Sequence, residues 1–245
     1  MNSHHPLRGT ALAVLSSLLL GVLPLNAMTI ITTIDSLSSG AQTIDLSGTT
    51  GSSTDTFTGG GGSIIGGERD LTLTVTANPQ SAGAEVIITA GTSNLLVADL
   101  GLQVEAATEL LYNGVGAAGL GGVDLTSGGA NAFAIGIELL DLDLNIEIAV
   151  TDTGGDIATF STTEPGGIFS STTREFVFSN FSNLGATDFT SVDSVRLTFA
   201  TDNPGADLVL DVLGTSFVPE PSRSLTILTG LALCFLNRRR PALRS

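Results

Sequence analysis

Carboxylates are the one abundant reactive group in this chain of 245 residues, which carries 24 Asp and Glu against nine cationic side chains, for a formal net charge of −15. All the acids but Glu220 fall between residues 28 and 217, where the only cations are Arg69, Arg174 and Arg196. That stretch holds no His, Cys, Lys or Trp, since His4 and His5 precede it and Cys234 follows it. Without imidazole, thiol or amine there is no Ser-His or Cys-His nucleophile, no Schiff-base lysine and no zinc site of the usual donors. Two chemistries remain for oxygen donors. A facing carboxyl pair with one raised pKa can cleave a glycosidic bond, and loop carboxylates can ligate calcium.

The calcium candidates are Asp152, Asp156, Asp202 and Asp207, all in polar turn sequences. Asp141, Asp143, Asn145 and Glu147 recur two residues apart, so on a strand they share one face, as ligands or simply as its solvated side. No twelve-residue EF-hand spacing accompanies them. Sugar-cleaving sites usually also offer aromatic faces, and this stretch has a single tyrosine, Tyr112. The reading is therefore a protein that is not an enzyme, with a carboxylate-based glycoside hydrolase as the less favoured alternative and calcium as the one ion in prospect. Strong negative charge repels nucleic acid and anionic headgroups, which excludes a nucleic-acid partner.

The elements that must position these groups read as all-β. Leu71 to Thr76 alternates apolar and hydroxyl residues, and Glu85 to Thr89 follows a loop containing Asn78-Pro79. Phe133, Ile135 and Ile137 mark odd positions, whereas Leu142, Leu144, Ile146, Ile148 and Val150 mark even ones, which requires a turn or bulge near residues 139–141. Asp152 to Asp156 makes a turn into Ile157 to Ser161. Phe176 and Phe178, then Val195, Leu197 and Phe199, then Leu208, Leu210 and Val212 predict three later strands. Short strands with polar turns and no long run of helical period give a single antiparallel β-sandwich (jelly roll) over residues 28–217.

The ends carry a different signal. Arg8 precedes an apolar run from Ala11 to Leu25, and small Ala27 after it offers a cleavage position, which predicts a signal peptide over 1–27. At the other end, Val218-Pro219-Glu220-Pro221-Ser222 should be extended and unpaired, because proline fixes φ and removes a donor. An apolar helix over 224–237 and a basic tail over 238–245, with Arg238, Arg239 and Arg240, complete a terminal segment over 218–245. Its apolar core holds only about a dozen residues against the roughly twenty of a spanning helix, so it is expected as a short transmembrane anchor whose arginines stop in the cytoplasm.

Together these terminal features resemble the PEP-CTERM proteins, substrates of the membrane protease exosortase. The resemblance implies Val218, Pro219, Glu220 and Pro221 as the sorting motif, exosortase and the inner membrane as partners, and an inner-membrane-anchored precursor that ends at the cell surface or in extracellular matrix. It also implies a structural or interaction role in exopolysaccharide and biofilm. Gly66-Gly67-Glu68-Arg69-Asp70-Leu71 looks like a segment recurring in that class. From Val123-Asp124-Leu125-Thr126 through Arg174 to Phe181, Asp188 to Val195 and Asp207 to Asp211, the middle of the chain resembles galactose-binding-like jelly rolls. The alternative function implied is a carbohydrate-binding module, with calcium dependence in view and extracellular polysaccharide as partner.

Overall fold

The structure, a computed structural model, describes residues 29–219. Its strands are β1 (Ile30–Asp35), β2 (Gln42–Asp45), β3 (Gly51–Thr58), β4 (Glu68–Ala77), β5 (Ala84–Ile88), β6 (Leu96–Leu100) and β7 (Glu105–Tyr112), followed by β8 (Ala132–Leu140), β9 (Leu144–Asp152), β10 (Ile157–Glu164), β11 (Thr172–Val177), β12 (Val192–Thr201) and β13 (Leu208–Ser216). Sheet A runs β11-β8-β13-β6-β5-β2, with β1 also paired to β13, and sheet B runs β10-β9-β12-β7-β4-β3. All of these pairings are antiparallel. The result is the two-sheet antiparallel sandwich that the alternating sequence requires.

Period-two alternation decides what each strand buries. Leu71, Leu73 and Val75 of β4, Leu144, Ile146, Ile148 and Val150 of β9, and Val195, Leu197 and Phe199 of β12 point inward and are buried. Each such side chain stabilises the fold by about 1.5–3 kcal/mol. The change of phase between Ile137 and Leu144 is the crossing from sheet A to sheet B through residues 141–143. Leu142, expected to point inward, lies in that connection and is exposed. Phe178 likewise falls outside a strand. It begins a short 3-10 turn, Phe178–Asn180, and packs with Phe133, Phe181 and Phe189, its ring centroid 4.8 Å from that of Phe189.

The opposite side of the core is closed by charge. Arg69 continues the inward face of β4 and is fully buried. Its guanidinium donates to Asp35 Oδ2 (2.7 Å), Gln42 Oε1 (2.7 Å) and the carbonyls of Gly40 (2.6 Å) and Ser39 (3.2 Å). Asp35 also accepts from the Tyr112 hydroxyl (2.9 Å) and the Leu37 N–H (2.7 Å), while the Gln42 amide donates to the Asp55 carbonyl (2.6 Å). Burial pushes the Asp35 carboxyl upward, and the charge and hydrogen bond of Arg69 oppose it. Burial, and then the charge of Asp35, raise the Tyr112 phenol far above its ordinary range. The network fastens strands of both sheets at one corner. Gly40 must be glycine there, since its φ is +69° and a Cβ would strike the ring of Phe57.

The transmembrane helix expected over 224–237 is a correction to the fold. Among the described residues no helix is long and apolar enough to cross a membrane. The segment itself lies outside the described residues, and its apolar core falls short of the roughly twenty residues a span requires. The signal peptide with Ala27 also lies outside them.

Candidate functional site

The outward face of sheet B follows from the same alternation that fills the core. Asn145 and Glu147 on β9 face out because Leu144, Ile146 and Ile148 face in, and Thr198 and Ala200 on β12 face out because Leu197 and Phe199 face in. Ser161 and Thr163 on β10 complete the set, paired in register with Glu147 and Asn145. Across these three strands runs a groove of about 450 Å³, lined by Asn145, Glu147, Ser161, Thr163, Thr198 and Ala200.

Its polar groups are oriented before any ligand arrives. Thr163 Oγ1 donates to Asn145 Oδ1 (2.7 Å), and Asn145 Nδ2 donates to Asp202 Oδ1 (3.1 Å), so the amide is held from both sides. Arg196 Nη2 lies 3.3 Å from Glu147 Oε1 and Arg196 Nε lies 3.8 Å from Glu109 Oε2. These pairs are nearly half exposed, so each contributes roughly 0–1 kcal/mol to stability and acts mainly to place the carboxylates. The groove thus offers hydroxyl, amide and carboxylate oxygens with spare hydrogen-bonding capacity, and no aromatic face. Tyr112, the only tyrosine, is buried beside Asp35.

The four loop aspartates considered for calcium are split between the two ends of β9. Asp152 closes that strand, whereas Thr201 pairs with Leu144 and so brings Asp202 to its start. The Asp152 carboxylate is taken up by backbone N–H groups of Asp188 (2.8 Å), Asp156 (3.0 Å) and Gly154 (2.8 Å), which hold its pKa below the ordinary aspartate range. Asp156 contributes to that turn through its backbone. Asp202 is engaged by Asn145. Asp207 accepts from the Leu100 N–H (2.8 Å), and its pKa is raised by burial and by the neighbouring charges of Asp141 and Asp99. Asp141 accepts from the Asp207 N–H (2.7 Å), and Asp143 from the Gly166 N–H (2.8 Å). Among the described residues no group of three or more His, Cys, Asp or Glu side chains is placed to hold a metal ion.

Of the sorting motif, Val218 and Pro219 are described, and Val218 is not unpaired as expected. The Asn131 side chain accepts from its N–H (2.7 Å) and donates to its carbonyl (2.9 Å), taking the place of a neighbouring strand. Glu220, Pro221 and Arg238 to Arg240 lie outside the described residues.

No family model and no curated protein matches the chain. The PEP-CTERM resemblance is corrected on that ground and on the lack of a spanning helix among the described residues. With it go the exosortase partner, the inner-membrane-anchored precursor and the matrix role, which rested on the terminal features together. Solved structures do match. A family 11 carbohydrate-binding module of the cellulosomal cellulase Lic26A-Cel5E of Clostridium thermocellum is 14% identical, with 75% of this chain and 98% of that one covered and a TM-score of 0.34. An exo-β-agarase is 12% identical over 80% of this chain and 25% of its own, with a TM-score of 0.41. Bacteriophage CBA120 tailspike protein 4 is 10% identical over 75% and 21%, with a TM-score of 0.35. At such identities and scores these similarities assign neither a family nor a function, and the chain stands as an antiparallel β-sandwich with a polar groove on one outer face.

Proposed function

We propose that the sandwich is a carbohydrate-binding domain whose ligand lies in the groove over β10, β9 and β12. One observation carries the reading: a groove on an outer sheet face, walled by fixed amide, hydroxyl and carboxylate groups, which match the donors and acceptors of a polyol. The net charge of −15 favours a neutral glycan over an acidic one.

The same geometry speaks for binding without cleavage. Among the described residues, the carboxyls with raised pKa that could act as general acids are Asp35, Asp207 and Asp211. Asp35 is buried on β1, and the other two lie at or on β13 of sheet A, across the core from the groove. Affinity should be modest. Without an aromatic platform, about four hydrogen bonds at a net of about 1 kcal/mol each give a dissociation constant on the order of 1 mM.

Affinity electrophoresis in gels containing neutral β-glucans, galactans or mannans tests the proposal. Retardation by at least one polymer, weakened by Asn145→Ala and Thr198→Val with unchanged folding, is the expected result. No retardation by any of them would overturn it. Release of reducing sugar from a retarding polymer would overturn the non-catalytic part alone.

A further inference from the structure

The register of sheet B carries the row of small outward residues that floors the groove beyond the three strands that line it. Thr163 pairs with Asn145, Asn145 with Ala200, Ala200 with Ala107, Ala107 with Thr74 and Thr74 with Ser52, so one row of outward positions crosses β10, β9, β12, β7, β4 and β3. Every side chain in this row is small. The adjacent row on one side is Ser161, Glu147, Thr198, Glu109, Thr72 and Thr54, in the same unbroken register. Its two glutamates stand beside Asn145 and Ala107 and are held by Arg196. On the other side stand Asp202, fixed by Asn145, and Glu105, whose carbonyl accepts from Thr76 Oγ1 (3.1 Å).

Between Glu147 and Glu109 on one side and Asp202 and Glu105 on the other, the small row makes a walled trough perpendicular to the strands over β9, β12 and β7, continued over β10, β4 and β3 by an open floor of Ser and Thr side chains. With neighbouring strands about 4.8 Å apart, six strands give it a length of about 24 Å. Its floor narrows to Ala200 and Ala107 at the middle, where a ligand can come closest to the sheet. The far end is stiffened by hydroxyl pairs between β3 and β4, Ser52 with Thr74 (2.9 Å) and Thr54 with Thr72 (2.8 Å). Both ends run out over edge strands, β10 and β3.

We infer that this trough takes the interior of an unbranched, neutral polysaccharide, laid across all six strands, and does not recognise a chain end. The inference rests on the carbohydrate-binding reading of the groove and names its ligand class. A side branch would meet Glu147 or Glu109 at the wall, and a carboxylated or sulfated chain would meet the same groups as like charges. Length supplies what each weak contact lacks, because every further sugar adds hydrogen bonds without a second cost of immobilising the ligand.

Calorimetric titration with cello-, laminari-, manno- and galacto-oligosaccharides of two to eight units, with the matching polymers, tests it. In the series whose polymer binds, affinity is expected to rise about tenfold or more from two units to the length that spans the sheet, and then to level off. Ala107→Leu, raising the middle of the floor, should reduce long oligomers to the affinity of the disaccharide. Thr74→Val, of nearly the same shape, serves as a second variant at the far end and should weaken only the oligomers long enough to reach β4. Affinity that is already maximal at two units, with both variants silent, would overturn the trough and leave the groove over β9 intact as a short site. Failure of every oligomer and polymer to bind would overturn both.

Discussion

The corner around Arg69 and the outer face around Arg196 use the same chemistry, an arginine set among carboxylates and amides, with opposite consequences. Arg69 and Asp35 are both fully buried and nearly every polar atom near them has a partner, whereas Arg196 and Glu147 are each nearly half exposed. The first arrangement fastens the two sheets together. The second leaves its carboxylates standing in water beside an open groove. What separates a structural ion pair from a ligand-facing one in this fold is the surrounding dielectric and the number of partners.

Removing one member of the buried pair should have the largest effect. Arg69→Met leaves Asp35 uncompensated and should cost about 3–5 kcal/mol in urea unfolding, while Arg69→Met combined with Asp35→Leu should recover part of that loss. A single-variant cost below about 1 kcal/mol would erase the distinction between the two arginine sites.

Arg174 provides an intermediate case. Its Nε donates to Glu164, which is mostly buried at the end of β10, while the arginine side chain is 39% exposed. Glu164→Gln is expected to cost about 1 kcal/mol after allowing for solvent screening.

Asp211 sharpens the comparison from the other direction, as a carboxyl without a cation. It sits at a register shift of β13, its Oδ1 buried without a partner and close enough to Gly136 that a Cβ there would collide with it. Burial first, and then the charge of Glu138, raise its pKa. A folded-state pKa above the unfolded value means the native state holds the proton more tightly. That contribution is complete below the unfolded value of about 3.8–4 and is lost as pH rises through the raised folded one. Asp211→Asn should therefore flatten the decline in stability from mildly acid pH toward neutrality, measured as unfolding midpoints across that range. An unchanged pH profile would place the raised pKa elsewhere.

The smallest expected effect on stability belongs to Arg196→Ala, within about 0.5 kcal/mol, because the pairs it breaks are exposed. Its effect should appear instead in glycan retardation, through carboxylates no longer held at the wall. A stability loss as large as that of Arg69→Met would show that the outer face also carries the fold.

Much of this architecture was legible in the sequence wherever one face is apolar. The alternation in β4, β9 and β12 gave the strands and their buried sides, whereas in β13 it held for Leu208 and Leu210 until the register shift turned Val212 out and Leu213 in, and the phase change gave a break near residues 139–141 but not the crossing between sheets through 141–143. β3 was not legible, because Gly51 to Thr58 carries hydroxyl residues on both faces and only Phe57 as a large apolar one. The role of Arg69 had a usable signal that polarity concealed: it falls in phase with Leu71, Leu73 and Val75 and so must point inward. Asn145 and Glu147 could be placed on one face of a strand, and that face does line the groove. Ser161, Thr163, Thr198 and Ala200 could not be set opposite them, because strand order and register are non-local. The loop aspartates could not be sorted from sequence for a related reason, since turn-forming aspartates and calcium ligands share a composition and the backbone N–H groups they accept from are seen only in the fold.

The pairing of β1 with β13 places the first and last described strands side by side, Ile30 opposite Ser216. The two ends of the described stretch therefore lie at the same point of the domain. Tension drawn between them acts on that ladder one rung at a time, the mechanically weaker direction, and would peel β1 away before the rest of sheet A yields. The Asn131 clamp lies on the other flank of β13, where β8 runs alongside it through Ser216. A domain strung between attachments on either side of these two strands should thus surrender its first strand at low force, while the contacts of β13 with β8 and Asn131 stay in place.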